Sequence, residues 1–216
     1  MPVITDDRRV QRTKRTLRRA LAELMVEKKG IDNVTVGELT ERADLNRGTF
    51  YAHYSDKNDL LHACEDEFLA QVVELQGCLA KVTLAEAVDA AFRGKPLPFA
   101  VSLYDFLREN GAFLSALIGP YGDASFQIRL RDTVASYLVE SVLADSYRAN
   151  MTPITEYYIA YYASAQLGVI QHWLERGMQE SSEEMARVVL AIMFMQPGDA
   201  ITAPDPEREA AAVKIG

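Results

Sequence analysis

From Asp44 to Leu61 the chain reads DLNRGTFYAHYSDKNDLL. An arginine, a threonine, two tyrosines, a histidine and a lysine fall within this one run, which is far too short to be a catalytic domain. No other stretch supplies catalytic machinery. The chain has no phosphate-cradling glycine-rich loop, no nucleophile elbow, and no Ser/His/Asp arrangement in a recognisable context, so the sequence predicts a protein that is not an enzyme. His53, His62 and His172 are far apart, and Cys64, two residues after His62 on a helix, points to a different side. No metal site and no cofactor are expected from these spacings. What remains is a cluster of hydrogen-bond donors, and the question is what they touch.

Charge narrows the answer. The 216 residues carry a net −8, but residues 1 to 60 alone carry +2 and the remainder −10. An acidic chain is a poor generic binder of nucleic acid, so any such contact must come from where the basic residues sit. Arg8, Arg9, Arg12, Lys14, Arg15, Arg18 and Arg19 form a basic arm running into a helix, a pattern suited to a polyphosphate backbone. With 49% hydrophobic and 25% charged residues the composition is that of a soluble protein with a sizeable core. No run approaches a membrane span and no apolar stretch follows the charged start, so a cytoplasmic location is expected. Cys64 and Cys78 read as core thiols.

The elements that must hold the donors are helices. Leu17, Ala20, Leu21 and Leu24 recur at helical spacing, with Gly30 as a stop signal. Thr35 followed by Glu38 is a capping-box pattern, and Val36, Leu39 and Ala43 then share one face. Asn46 can cap a second short helix that buries Phe50 and Tyr54 and leaves Arg47, Thr49, Tyr51 and His53 outside. Ser55 or Asp56 opens a longer helix with Leu61, Cys64, Phe68 and Val72 on one stripe. Two short helices joined by a tight turn and laid across longer ones are a helix-turn-helix, whose second helix enters the major groove.

The basic helix followed by VTVGELTERADLNRGTFYAHYSDKNDLL closely resembles the N-terminal domain of the tetracycline-repressor (TetR) family, with the pattern matched from Thr35 to Leu61. The resemblance implies an all-α chain of about nine helices: a helix-turn-helix domain over residues 1–60, linked onward by helix four at about 55–76, then a ligand-binding and dimerisation domain over 61–196. It implies a DNA-binding transcriptional regulator, a ligand-responsive repressor. Arg47, Gly48 and Thr49 become the base-facing positions, Tyr51, His53 and Lys57 phosphate contacts, and Thr35 an additional one. The partners implied are a double-stranded DNA operator, a second copy of the chain and an unidentified small organic effector. The alternative is a protein-interaction module that uses the same fold as a coactivator.

Beyond residue 78 the pattern is looser. A connector helix is expected first, then short helices broken near Gly94 to Pro98, at Gly111, and at Gly119 to Gly122. A long helix carries Phe126, Leu130, Val134 and Leu138 and ends near Asn150. Phe92, Phe99, Tyr104, Phe106, Phe113, Phe126, Tyr137 and Trp173 either line a pocket or fill the core. The last two helices, one running through Ala163, Ala165 and Gly168 to Gly177, the other capped by Ser181 or Ser182, carry the faces expected to pair two chains. The segment 197–216 has no core pattern and reads as a flexible tail.

Overall fold

Leu17, Ala20, Leu21 and Leu24, the apolar repeat of the first helix, are each at most 2% exposed. They lie on α1, Val3–Glu27, in a computed structural model that describes residues 3–77, 86, 89–90, 92–137, 139 and 151–194. The basic arm is therefore the first half of α1 itself. The helix ends in a Schellman turn, with Gly30 N–H donating to Met25 O at 2.8 Å and Lys29 N–H to Val26 O at 3.4 Å. The left-handed residue is Lys29, φ 60°, one position ahead of the expected stop.

A 3₁₀ turn, Ile31–Asn33, leads to α2, Val36–Arg42, α3, Arg47–Tyr51, and α4, Lys57–Gln76. Each start is capped as the residue types dictate. Thr35 and Glu38 form the full capping box, and Asn46 Oδ1 accepts from Gly48 N–H at 2.8 Å. Asp56, of the two candidates, caps α4, accepting from the N–H groups of Asn58 and Asp59, while Ser55 N–H donates to Asp59 Oδ2 at 2.8 Å. Between α2 and α3 the chain reverses at Asp44, whose φ of 52° is uncommon for a residue with a Cβ but tolerated by aspartate. A five-residue helix such as α3 does not persist alone. Full burial of Phe50, which contributes roughly 1.5–3 kcal/mol, pins it to the core.

The remaining described helices are α5, Pro98–Glu109, α6, Gly111–Ile118, α7, Ala124–Tyr137, α8, Pro153–Glu175, and α9, Ser182–Phe194. Among the described residues all regular structure is helical, as expected of an all-α chain. The breaks at Gly111 and after Ile118 fall where glycine placed them, Pro153 opens α8 behind its Thr152 cap, and α8 ends at Glu175, two residues before Gly177 with its φ of 71°. Ser181 is the cap of α9, its hydroxyl accepting from Glu184 N–H at 3.2 Å. Most of the expected connector helix, Cys78, Leu138, most of the stretch to Asn150 and the tail lie outside the described residues. Among the described residues no helix is long and apolar enough to cross a membrane.

One cluster of buried side chains runs through both halves of the chain. Leu17, Leu21 and Met25 of α1, Leu61, Cys64 and Phe68 of α4, Phe113 and Leu117 of α6, Phe126 of α7 and Trp173 of α8 all belong to it. The aromatic residues divide accordingly. Tyr104, Phe113, Phe126 and Trp173 are core, with Phe106 packed against it, whereas Phe92 is 86% exposed. Phe68 sits at the centre of a ring cluster, its centroid 5.0 Å from Phe106 and 5.9 Å from Phe126.

Candidate nucleic-acid interface

Because Phe50 is the inward anchor of α3, the other faces of that helix are turned outward. Arg47, Gly48 and Tyr51 are exposed, Thr49 is half-buried, and His53 is exposed just beyond the helix end. Tyr51 keeps its orientation through an edge-on contact with Phe50, ring centroids 5.4 Å apart. A short helix that presents a guanidinium, a bare glycine and a phenol has the shape and the donors to enter a major groove.

Arg47 does not project freely. Its guanidinium rests on α2, so close that a Cβ on Gly37 would lie 2.7 Å from Nη2. Glycine at 37 is what leaves room for that arm. Thr35, named as a phosphate contact, is exposed, but its hydroxyl donates to Glu38 Oε2 at 2.9 Å and accepts from Glu38 N–H. Its observed work is to start α2.

Lys57 is likewise occupied. Its ammonium donates to Ile31 O at 2.9 Å and Asp32 O at 2.7 Å, tying the first residue of α4 to the 3₁₀ turn. Only one of its three donors is left for another acceptor. His53 borders an open cleft of about 730 Å³ between α1, the end of α3 and α4, lined also by Lys14, Asp59 and Glu67. That lining is mixed in charge, so His53 sits at the edge of the basic surface.

The residues that position α2 were not evident in the sequence. Arg42 reaches back to α1, 2.7 Å from Glu27 and 3.4 Å from Glu23, and these two carboxylates, Glu27 first, raise its pKa. Lys28 Nζ is 2.5 Å from Glu38 Oε1. The hydrogen bond from Lys28, then those from the Thr35 hydroxyl and N–H, hold the Glu38 carboxyl down at about 2. These pairs join residues 10 to 19 apart, and no helical spacing announces them. Behind them α1 contributes exposed cations at Arg8, Arg9, Arg12 and Arg15, while Arg19 is paired with Glu23 at 2.8 Å. Arg18 is turned inward, over Phe113.

Residues 18–64 match the family described as bacterial regulatory proteins, tetR family, and residues 94–194 match a transcriptional regulator C-terminal region. A stretch of 68 residues is 32% identical to YxbF of Bacillus subtilis (strain 168), an uncharacterised HTH-type transcriptional regulator. That stretch covers 32% of this chain and 18% of the relative, so the match spans about a fifth of YxbF. Among solved structures, the fatty acid degradation regulator FadR from Bacillus halodurans has a TM-score of 0.63 at 11% identity, over 87% of this chain and 97% of that one. The transcriptional regulator FadR from Bacillus subtilis in complex with stearoyl-CoA has a TM-score of 0.53 at 14% identity, over 82% and 96% of the two chains. At these identities the structural likeness speaks for the fold.

Proposed function

The chain belongs to the TetR family of bacterial transcriptional regulators, and from that premise we propose that it is a cytoplasmic, dimeric, effector-responsive repressor that binds a pseudo-palindromic DNA operator. The observation that carries the reading is the outward face of α3, with Arg47, Gly48 and Tyr51 exposed on a helix anchored by Phe50 and backed by the cations of α1. In this reading residues 1–60 contact DNA. Arg47, Gly48 and Thr49 meet base edges, Tyr51 and His53 meet phosphates, and Lys57 adds its remaining donor while Thr35 sets the angle of α2.

Residues 61–196 hold the dimer and the effector. The exposed stripe of α8 supports the dimer: Ile154 is 78%, Tyr157 76% and Tyr161 73% exposed, and the same face continues through Ser164 and Gly168, both exposed. Apolar and small residues in a row on one helix face are what a second copy of that helix covers. An organic effector fits the C-terminal region that the family uses for ligands. Tyr104, Phe113, Phe126 and Trp173 are core side chains, so the effector is assigned to none of them.

The test is fluorescence anisotropy with fragments of the source genome at low and moderate salt. A specific complex with two chains per site supports the reading. A chain that retains no fragment yet captures a transcription factor would replace it with the coactivator reading.

A further inference from the structure

On α4, His62 and Glu65 are one turn apart, and the loop that opens α7 brings Asp123 against them. One potential ligand atom from each of the three lies within 4.8 Å of the others. We propose that His62, Glu65 and Asp123 form a binding site for a first-row transition dication, with Zn²⁺ or Mn²⁺ as the fitting class, that fastens the α6–α7 loop to α4, the helix that leads out of the DNA-binding unit.

The independent observation is Glu65. Its side chain is fully buried, and Oε1 has no hydrogen-bond partner. Leaving a buried carboxylate oxygen unmatched is costly, and a cation is one of the few groups that can satisfy it. The other oxygen, Oε2, accepts from Arg129 Nη1 at 3.2 Å, and Arg129 also pairs with Asp66. That single guanidinium is shared between two carboxylates while Asp123 adds a third, so the neighbourhood is short of positive charge by about the amount a dication supplies.

The donor set selects the ion. One imidazole with two carboxylates suits Zn²⁺, Mn²⁺ or a neighbouring first-row ion, whereas Mg²⁺ and Ca²⁺ prefer oxygen alone. Bonds of about 2.0–2.2 Å require the ligand atoms to close in slightly from their present spread. His62 is exposed. Asp123 is already fixed through Oδ1, which accepts from Ser125 N–H at 2.7 Å, and Arg129 on Oε2 is a fitting outer partner for a ligating carboxylate.

The loop held by such an ion also meets the other end of the helix-turn-helix unit. Lys29 Nζ lies 5.7 Å from the centre of the Tyr121 ring, and Tyr121 O would be 3.5 Å from a Cβ on Gly30. An ion at Asp123 therefore acts on a loop that touches both α4 and the end of α1. Ion occupancy is then expected to change operator affinity, a step that rests on the DNA-binding reading, whereas the binding itself does not.

The experiment uses the untagged full chain, stripped with EDTA and titrated calorimetrically with Zn²⁺, Mn²⁺ and Mg²⁺. Expected are one Zn²⁺ or Mn²⁺ per chain, much weaker Mg²⁺, and a loss of at least about tenfold in affinity for both His62→Ala and Asp123→Asn. His62 is exposed, and asparagine keeps the Oδ1 that Ser125 uses, so both variants should fold. Asp66→Asn, which removes one nearby charge but no ligand, should weaken ion binding far less than His62→Ala or Asp123→Asn does. No ion on the wild-type chain, or equal affinity in His62→Ala, overturns the site. Ion binding with the expected mutational pattern but unchanged operator affinity overturns the regulatory step.

Discussion

The guanidinium of Arg18 lies 4.3 Å from the centre of the Phe113 ring and 5.9 Å from that of Phe68. A residue that the sequence counts among the basic arm is thus packed between α1, α4 and α6. Its Nε and Nη2 are buried without hydrogen-bond partners, and burial lowers its pKa against the opposing pull of Cys64 and Glu67. The contact makes α1 a shared wall, fixed at once to the helix-turn-helix unit and to the C-terminal helices.

The first prediction separates shape from charge at this contact. Arg18→Met keeps an apolar stem about as far as the position of Nε and removes two unsatisfied donors, so it should change unfolding free energy by less than about 1 kcal/mol, or raise it. Phe113→Ala empties a buried site and should cost about 3–5 kcal/mol. Urea denaturation of both variants is the measurement. A loss above about 2 kcal/mol for Arg18→Met would mean that the charge, and not the packing, is what the position needs.

Lys57 carries the second prediction. With its ammonium on the carbonyls of Ile31 and Asp32, Lys57→Ala should lower stability by about 1–2 kcal/mol as well as weaken DNA binding. Arg47→Ala removes no such bond and should leave stability within about 0.5 kcal/mol while relaxing preference at one base position. Thermal unfolding alongside operator titration distinguishes the two. A Lys57→Ala protein of unchanged stability would show that the ammonium leaves the turn in solution.

Residues close in sequence were legible and residues brought together by folding were not. The stripe of Leu61, Cys64, Phe68 and Val72 is buried as its spacing requires, and the caps at Thr35, Asn46 and Asp56 follow from short polar side chains meeting free N–H groups. Arg18 lies beside Leu17 and three residues before Leu21, so its inward turn was open to the same periodicity but hidden by the run of like charges around it. The Lys57 clamp spans 26 residues, and the chain between Glu65 and Asp123 holds the rest of α4, α5 and α6. Sequence weighed His62 against Cys64, whereas its partner one turn on is Glu65.

The third prediction concerns acid. The Glu38 carboxyl, ordinarily near 4.5, is held at about 2 by Lys28 and Thr35. Between those values the folded state binds fewer protons than the unfolded chain, so the contribution is present above about pH 4.5 and is lost as the pH falls toward about 2. Thermal unfolding of the wild-type chain and Glu38→Gln should differ most near pH 6 and converge in strong acid. A difference that does not shrink on acidification would place the benefit of Glu38 elsewhere than in its charge.

The last prediction tests the dimer through Gly168. A Cβ at this position meets nothing within 4 Å in the single chain, although the residue lies mid-helix between buried Ala163 and Trp173. A glycine with open space in front of it, on the face that also exposes Tyr157 and Tyr161, gives a second helix its closest approach. Gly168→Trp should therefore leave the monomer no less stable, since removing a helical glycine gains up to about 1 kcal/mol, while it separates the two chains. Sedimentation should show a monomer at concentrations where the parent is a dimer. Operator affinity should fall with it, because each half-site then has to be held by a separate binding event. A Gly168→Trp protein that remains dimeric and binds its operator normally would move the interface off this face of α8.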